Sequence, residues 1–388
     1  MKNFEFYNPV RICFGKGEIA KLSRLIPSGA NILLTYGGGS IKKNGIYDQV
    51  IAALKGFKIT EFSGIEANPH YETLMKGVAI VKEQNIDFLL AVGGGSVLDG
   101  TKFIAAAALW EGSDPWEILS SRQTARVKKA LPVGTVLTLP ATGSEMNGNS
   151  VVTRWETKDK LAFDSEFVMP VFSVLDPEVV FSLPRIQVAN GIVDAFIHVM
   201  EQYLTYPANA PVQDRFAESV LKTLVEEGPK VLADRTNYEA AANFMWAATM
   251  ALNGLIGVGV PQDWATHMIG HELTAFHGID HGQTLCIVLP GIMKVKRENK
   301  KEKMLQYGER VWQITEGTDD ERVDAIIEKT VNFFESVGIK TKLSDYGIGK
   351  EIIPKIADRF VKRGIKAIGE RGDLTVDDIK RILEVQLA

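Results

Sequence analysis

The sequence predicts a Rossmann-like α/β domain with a parallel sheet, followed by an all-α domain. In the first half, short apolar runs that end in glycine alternate with amphipathic helical patterns, which is typical of βαβ units. Beyond Pro184 the hydrophobic spacing is helical and β-rich runs are missing. Pro177 and Pro184 punctuate this change, so we predict domains over residues 1–183 and 184–388.

Five runs in the first half have the length and composition of buried strands. A helical stretch follows the first run and reaches Leu54, and helical spacing returns over 71–84 and 97–109. The opening stretch 4–15 is predicted to form a strand pair broken at Pro9. The five predicted strands cover residues 31–37, 58–65, 87–95, 133–141 and 170–176.

The overall charge excludes two classes of partner. A net charge of −4 gives no basic field for a nucleic acid, and no polybasic cluster suggests an anionic membrane surface. Glu298 and Glu302 balance the basic run 294–303, which we interpret as a solvated helix face.

The cysteines and apolar runs bear on the compartment. Cys13 and Cys286 form neither a disulfide framework nor a CxxC pair, so we expect a reducing cytoplasm. The N-terminus lacks the apolar segment of a secretory signal, and no apolar run approaches the ~18 residues of a membrane span.

Two glycine loops are candidate dinucleotide sites. The loops YGGGSIKK (36–43) and GGGSVLDGTK (93–102) each follow a predicted strand, and their backbone N–H groups can approach a phosphate closely. Because ligands of α/β sheets sit beyond the carboxyl ends of the strands, we expect both loops on one edge of the sheet. Neither matches G-x-G-x-x-G, and Lys102 follows Thr101 where a P-loop requires Gly-Lys-Ser/Thr.

The polar residues of these loops favour NADP over NAD. The first loop offers Ser40, Lys42 and Lys43 and no acidic residue, which suits a ribose 2′-phosphate. A third turn, LPATGSEMN (139–147), carries short polar side chains that could orient a nicotinamide or a substrate. They are Thr142, Ser144 and Asn147.

The second half contains two sets of metal-ligating residue types. Asp194 and His198 stand four residues apart on a predicted helix, and Glu201 lies on the same face. The stretch HMIGHELTAFHGIDH (267–281) holds four of the six histidines, of which His267 and His271 form a second i, i+4 pair. A carboxylate and three imidazoles suit Zn²⁺ or Fe²⁺.

The spacing excludes one class of metal enzyme. Glu272 follows His271 without a second histidine three residues later, so the HExxH motif of zinc proteases is absent. The spacing by itself leaves open which of the four histidines bind metal.

Several motifs occur together in a recognisable order. The runs D-x3-H and H-x3-H-x9-H-G, with GGGSVLDGTK and TLPATGSE, resemble the iron-containing (group III) alcohol dehydrogenase family, in its NADPH-dependent aldehyde reductase and butanol dehydrogenase branch. The resemblance extends over essentially the whole chain. It implies a dehydroquinate synthase-like architecture, with a dinucleotide domain, a helical metal-binding domain and an active site in the cleft between them.

The resemblance also implies roles for particular residues. The metal ligands would be Asp194, His198, His267 and His281, whereas His271 would lie near the nicotinamide without binding metal, and His277 has no role in the family pattern. Because imidazole titrates near neutral pH, we expect His271 to be the catalytic residue that transfers a proton. Gly38 and Ser40 stand where NAD-preferring relatives carry an acidic residue. The implied cofactor contacts are Gly94, Gly95, Ser96, Asp99, Thr138, Thr142 and Lys160, to which the residue pattern adds Asn147.

The expected reaction is hydride transfer between NADP(H) and a small aldehyde such as butanal, in a homodimeric enzyme with one Fe²⁺ or Zn²⁺. The stretch 245–268, which flanks the ligand candidates and ends just after His267, is mostly apolar, which favours an alkyl or aryl substrate. The alternatives are an NAD-dependent, glycerol-type polyol dehydrogenase and a dehydroquinate synthase-like lyase, whose phosphate-bearing substrate would require several basic residues. A non-catalytic binding module is disfavoured because both the ligand set and the phosphate loops are present.

Overall fold

The structure is a computed structural model that describes residues 1–121 and 127–388. The strands are β1 (Arg11–Phe14), β2 (Asn31–Tyr36), β3 (Lys58–Phe62), β4 (Phe88–Gly94), β5 (Val133–Leu139), β6 (Asn149–Arg154), β7 (Asp159–Asp164), β8 (Phe172–Leu175), β9 (Ala367–Ile368) and β10 (Leu374–Thr375). The helices are α1 (Leu22–Leu25), α2 (Ser40–Lys43), α3 (Ile46–Ala53), α4 (Tyr71–Gln84), α5 (Gly95–Ala108), α6 (Glu117–Ser120), α7 (Arg185–Tyr203), α8 (Pro211–Ala233), α9 (Tyr238–Ala251), α10 (Ala265–His277), α11 (His281–Val295), α12 (Arg297–Tyr307), α13 (Asp319–Ser336), α14 (Ile352–Lys362) and α15 (Val376–Glu384).

The chain forms two compact units, each assembled from separate segments. The α/β unit comprises residues 7–183 and 235–249. The helical unit comprises residues 1–6, 184–234 and 250–388. Segment 235–249 is tied to the α/β unit by side chains of α9, since Trp246 packs edge-on against Phe14 at 5.9 Å and Thr249 donates a 2.5 Å hydrogen bond to Glu145.

The α/β unit contains a six-stranded sheet in the order β1-β8-β5-β4-β2-β3. All five pairings are parallel, and the five predicted strands contain the observed β2, β3, β4, β5 and β8. The central strand β4 is apolar because both of its faces are covered, and its residues from Phe88 to Val92 are almost inaccessible to solvent. The predicted parallel sheet is therefore confirmed.

Two local features of the α/β unit differ from the sequence prediction. The predicted strand pair at the N-terminus is wrong: the segment before Pro9 forms no strand, and β1 alone pairs in parallel with β8. Asn8 bonds instead through its side chain to Met146 O at 2.9 Å, so the backbone leaves the ladder. The antiparallel hairpin β6–β7 was not predicted, because its mixed polar and apolar residues lack a clean alternation.

The helical unit has its own apolar core. Helices α10, α11, α14 and α15 contribute fully buried residues to one cluster, among them Ile269, Ile287, Ile356 and Ile382. The unit also contains the two-residue antiparallel ladder β9–β10, an addition to the predicted helical fold. Among the described residues, no helix combines the length and apolarity needed to cross a membrane.

The basic run before residue 304 is only partly a solvated face. Lys300 and Lys303 are 2% and 3% exposed, so the interpretation is wrong for these two residues. Lys300 Nζ lies 2.8 Å from Asp263 Oδ2 and 3.0 Å from Glu370 Oε1. Buried ammonium groups are tolerated where carboxylates bind them, and a sequence run does not show which residues will do so.

Candidate functional site

Two of the implied metal ligands lie on α7 in the helical unit. Asp194 and His198 are one turn apart on this helix, and they are 3% and 4% exposed. Apolar residues surround them along the chain, including the fully buried Ala195, Phe196 and Ile197. A carboxylate in such surroundings is unfavourable unless a cation or hydrogen-bond donors compensate its charge.

The histidine-rich stretch bends between two helices. His267 and His271 occupy successive turns of α10, and Gly278 ends that helix with φ +67°. Glycine adopts this left-handed conformation without steric cost, and the conformation lets the chain reverse direction. Helix α11 then begins at His281, which brings this side chain back toward α10.

The start of α11 lies close against α7. A Cβ atom on Gly282 would stand 2.7 Å from the carbonyl oxygen of Asn190, so only glycine permits this approach. Asn190 Nδ2 also donates a 2.8 Å hydrogen bond to Asp280 Oδ2. These contacts set the position of His281 relative to the ligand-bearing face of α7.

Three imidazoles converge on one oxygen of Asp194. Asp194 Oδ1 lies 3.8 Å from His198 Nε2, 4.0 Å from His267 Nε2 and 3.7 Å from His281 Nε2. Possible ligand atoms of Asp194, His267 and His281 all lie within 4.8 Å of one another. The tertiary structure thus brings together all four residues that the family resemblance implied.

The geometry fits a shared cation. Distances of 3.7–4.0 Å are too long for hydrogen bonds, whereas ligands about 2.1 Å from a tetrahedral metal lie roughly 3.4 Å apart. Asp194 Oδ1 is buried and accepts no hydrogen bond in the part of the chain that the structure describes. A divalent ion such as Fe²⁺ or Zn²⁺ would compensate the carboxylate and use the three imidazole nitrogens.

The remaining two histidines of the stretch have different positions. The His271 ring lies 5.2 Å from the His281 ring and 6.2 Å from the His267 ring, at the border of the cluster. His277 is exposed in the last turn of α10 near Glu351 and Lys355, and partial burial lowers the pKa of its imidazole.

Glu201 makes a further contact with the cluster. One of its carboxylate oxygens, Oε2, contacts His267 Nδ1, and the other accepts a 2.6 Å hydrogen bond from Thr266 N. Burial, followed by the nearby charge of Asp263, raises the pKa of this carboxyl group to about 8. The sequence placed Glu201 on the ligand face of its helix, but the spacing could not reveal its partner.

The three predicted loops of the α/β unit lie at one edge of its sheet. Strand β4 pairs with β2 on one side and with β5 on the other, so the turns that follow these strands are neighbours. A Cβ atom on Gly95 would collide with the Thr142 side chain, which shows how closely two of these turns approach. Gly38, Gly94, Thr138 and Thr142 belong to the same edge.

Asn68 joins two residues that were predicted to contact the cofactor. Its backbone N–H donates to Ser96 Oγ at 3.1 Å, and its side-chain Oδ1 accepts from Lys160 Nζ at 2.8 Å. Asn68 has φ +56°, a conformation that asparagine tolerates better than most residues. Nothing in its local sequence signalled this role, because the three residues are distant along the chain.

Asp99 and Asn147 belong to a buried network around Lys102. The Lys102 ammonium donates to Ser144 Oγ at 2.9 Å and to Asn147 O at 2.8 Å, while Ser144 Oγ donates to Asp99 Oδ1 at 2.6 Å. Burial lowers the pKa of Lys102 to about 8, against the opposing effect of the nearby carboxylates. The structure therefore shows these residues fixing the turn after β5.

The loop around Ser40 has an acidic neighbour that its own sequence does not show. Glu61 of β3 accepts hydrogen bonds from Tyr36 Oη at 2.5 Å, from Tyr47 Oη at 2.6 Å and from Lys42 Nζ at 3.2 Å. These donors lower the pKa of the Glu61 carboxyl group. Lys42, which the sequence analysis assigned to a 2′-phosphate, is thus paired with a carboxylate.

Comparisons with known proteins assign the family. Residues 9–177 match the family model described as iron-containing alcohol dehydrogenase, and residues 188–387 match the C-terminal model of the same family. The chain belongs to the iron-containing alcohol dehydrogenase family. The resemblance inferred from the motifs is confirmed.

Several relatives match over their whole length. The NADPH-dependent aldehyde reductase YqhD of Escherichia coli (strain K12) is 59% identical over 385 residues, which is 99% of each chain. A probable NADH-dependent butanol dehydrogenase 1 of Bacillus subtilis is 45% identical, with both chains covered in full. The crystal structure of E. coli K-12 YqhD covers 99% of each chain with a TM-score of 0.97 at 58% identity. The crystal structure of NADH-dependent butanol dehydrogenase A from Thermotoga maritima has a TM-score of 0.95 at 37% identity, and the match covers 100% of this chain and 99% of that chain.

Proposed function

We propose that this protein is a metal-dependent, NADP(H)-dependent alcohol dehydrogenase that reduces small aldehydes such as butanal. The observation that carries this proposal is the convergence of three imidazole Nε2 atoms on Asp194 Oδ1 within 3.7–4.0 Å. Membership of the family and the name of the E. coli relative, NADPH-dependent aldehyde reductase, support the same reaction.

Each group of residues has a chemical task in this proposal. Asp194, His198, His267 and His281 would hold one Fe²⁺ or Zn²⁺. When bound, the metal would polarise the substrate carbonyl and NADPH would supply the hydride. His271, at the border of the ligand cluster, would hold and pass a proton at an imidazole nitrogen, since imidazole titrates near neutral pH.

The α/β unit would bind the dinucleotide through its adjacent turns. Gly94, Gly95 and Ser96 would receive the diphosphate on backbone N–H groups at the start of α5. Asn68 would hold Ser96 and Lys160 in position, and Thr138 and Thr142 would complete the edge. In the proposed division of labour, residues 1–183 hold the cofactor and residues 184–388 hold the metal.

The residues near Ser40 bear on the choice between NADP and NAD. Ser40 and Lys43 favour a 2′-phosphate, whereas the carboxylate of Glu61 is the kind of group that binds the ribose hydroxyls of NAD. Lys42 Nζ lies 3.2 Å from Glu61 and compensates its charge, which supports NADP. The NADH-dependent relatives make NADH the second candidate cofactor.

The test is an aldehyde panel assayed with both cofactors. The protein is stripped of metal, reconstituted with Fe²⁺ or Zn²⁺, and assayed by the loss of NADPH or NADH absorbance at about 340 nm with butanal and benzaldehyde. We expect turnover only in the metal-loaded protein, with kcat/KM higher for NADPH. Turnover with glycerol and NAD⁺ alone, or no redox activity with any substrate, would refute the proposal.

We propose further that the enzyme is a cytoplasmic homodimer. Strand β1 is at the edge of the six-stranded sheet and its residues 11–14 pair with β8, so its other side can join a second copy across a two-fold axis. Light scattering after size-exclusion chromatography should give about twice the chain mass of 42.7 kDa. A monomer at micromolar concentration would contradict this part of the proposal.

A further inference from the structure

Glu201 connects two of the helices that carry the candidate metal ligands. It lies on α7, three residues after His198, and is 2% exposed. Its side chain reaches α10, where Oε2 contacts His267 Nδ1 and Oε1 accepts the 2.6 Å hydrogen bond from Thr266 N. Its carbonyl oxygen also accepts a 2.8 Å hydrogen bond from Asp263 N. Glu201 therefore has three contacts with the segment that begins α10.

The contact with His267 has a consequence for the other ring nitrogen. A neutral imidazole that binds a metal through Nε2 carries its proton on Nδ1, so in the metal-bound state the facing Glu201 oxygen would accept a hydrogen bond from Nδ1. His267 Nε2 is the atom that lies 4.0 Å from Asp194 Oδ1. The imidazole is thus oriented with its basic nitrogen toward the ligand cluster.

We propose that Glu201 is a positioning residue that fixes the tautomer and orientation of His267 for metal binding. This inference rests on the proposed function for the identity of His267 as a ligand. Glu201 is not one of the proposed ligands, because its two oxygens are directed at Thr266 N and His267 Nδ1. Carboxylates that orient metal-ligating histidines commonly change metal affinity by about 10–100-fold.

A purely structural role for Glu201 predicts a different outcome. In that case its removal would lower the stability of the metal-free protein and leave the metal affinity of the folded protein unchanged. Glu201→Gln separates the two roles, because the amide keeps the volume and can still accept from Thr266 N. A glutamine NH₂ directed at Nδ1 would favour the tautomer with the proton on Nε2. In that tautomer Nε2 has no free lone pair and cannot bind metal.

The experiment measures zinc affinity by competition with a chelating fluorophore in the full-length protein. For Glu201→Gln we expect the zinc dissociation constant to rise about 10–100-fold. The matched control is Glu218→Gln, which removes another buried carboxylate of the helical unit. Glu218 accepts a 2.9 Å hydrogen bond from Tyr203 Oη and contacts none of the candidate metal ligands. The zinc affinity of this control should stay within twofold of the wild type. Equal affinities of the wild type and Glu201→Gln would overturn the inference.

A second measurement does not depend on the folding of a variant. In zinc-loaded wild-type protein with ¹⁵N-labelled histidine, we expect His267 to show a protonated, hydrogen-bonded Nδ1 and a metal-bound Nε2. A proton on Nε2 of His267, or metal on Nδ1, would also overturn the inference. If the wild type binds no zinc or iron at all, the proposed function fails instead, so the two failures are distinguishable.

Discussion

The ligand cluster of the helical unit and the glycine-loop edge of the α/β unit differ in how their polar side chains find partners. Around Asp194 Oδ1 the imidazole nitrogens stop at 3.7–4.0 Å, beyond hydrogen-bonding distance. At the loop edge the polar groups already bond to one another, as Lys102 does to Ser144 at 2.9 Å. The ligand cluster has the geometry of an ion-binding site, whereas the loop edge has the geometry of a hydrogen-bonded network that holds its turns in place.

Because the two regions differ in this way, we expect mutations in them to affect different properties of the protein. In the proposed function a ligand of the cluster acts through the metal, so its loss should appear first in metal content and turnover. A residue of the Lys102 network fixes a turn that the cofactor would use, so its loss should appear first in stability. The following predictions test that distinction, from the largest effect to the smallest.

His267→Ala should have the largest effect. Removing one of four candidate ligands should abolish stoichiometric metal binding and lower kcat/KM for butanal at least about a thousandfold, which corresponds to ~4 kcal/mol. Metal analysis and NADPH oxidation measure the two effects. A fully active, metal-free variant would refute the assignment of the metal site.

Lys102→Met should destabilise the protein by ~3 kcal/mol, because it leaves the buried acceptors of Ser144, Asn147 and Asn149 without their donor and removes the positive charge near the Asp99 carboxylate. Urea denaturation provides the measurement. The matched control is Lys129→Met, since Lys129 is 55% exposed in its pair with Glu111 and should contribute under ~1 kcal/mol. Similar losses in both variants would show that the Lys102 network has no special structural role.

Ser40→Asp should change the cofactor preference. A new carboxylate in this loop would repel a 2′-phosphate and accept hydrogen bonds from ribose hydroxyls. We expect the ratio of kcat/KM with NADPH to that with NADH to fall by about tenfold or more, ~1.4 kcal/mol. An unchanged ratio would show that Ser40 does not face the 2′-position.

The pKa of Lys102 predicts a pH dependence of stability. Because this pKa falls to about 8 in the folded protein from 10.5, the unfolded chain binds more protons between these pH values. Stability should therefore increase as the pH rises through this window, by ~1 kcal/mol between pH 8 and 9. The effect is isolated by measuring the free energy of unfolding of the wild type and of Lys102→Met at each pH. A difference between the two proteins that stays constant from pH 8 to 9 would contradict the prediction.

His277→Ala should have the smallest effect. Its ring is exposed in the last turn of α10, so we expect metal content and kcat/KM to stay within about twofold of the wild type. Loss of metal in this variant would mean that the ligand set includes the wrong histidine of the 267–281 stretch.

Much of this organisation could be predicted from residue patterns. The apolar runs that end in glycine located β2, β4 and the turns that follow them, because buried parallel strands need continuous apolar residues. The i, i+4 spacing of Asp194 and His198 put them on one face of a helix, because helical periodicity depends only on local geometry. The choice among the four histidines needed the family resemblance.

The contacts that complete each region could not be predicted in this way. The pairing of Glu201 with His267 and of Glu61 with Lys42 joins residues 66 and 19 positions apart. The burial of Lys300 depends on carboxylates from two other segments of the chain. No local pattern encodes which distant group will meet a side chain.

The sequence by itself determined five strands of the parallel sheet, the helical character of the second half, the location of the glycine loops and the residue types available to bind a metal. Only the tertiary structure decided that three imidazoles face one carboxylate oxygen, that Lys102 is enclosed by the turn after β5, and that Glu201 supports His267. The reason is physical: periodicity and turn chemistry act over a few residues, whereas the satisfaction of buried charges depends on which helices pack together.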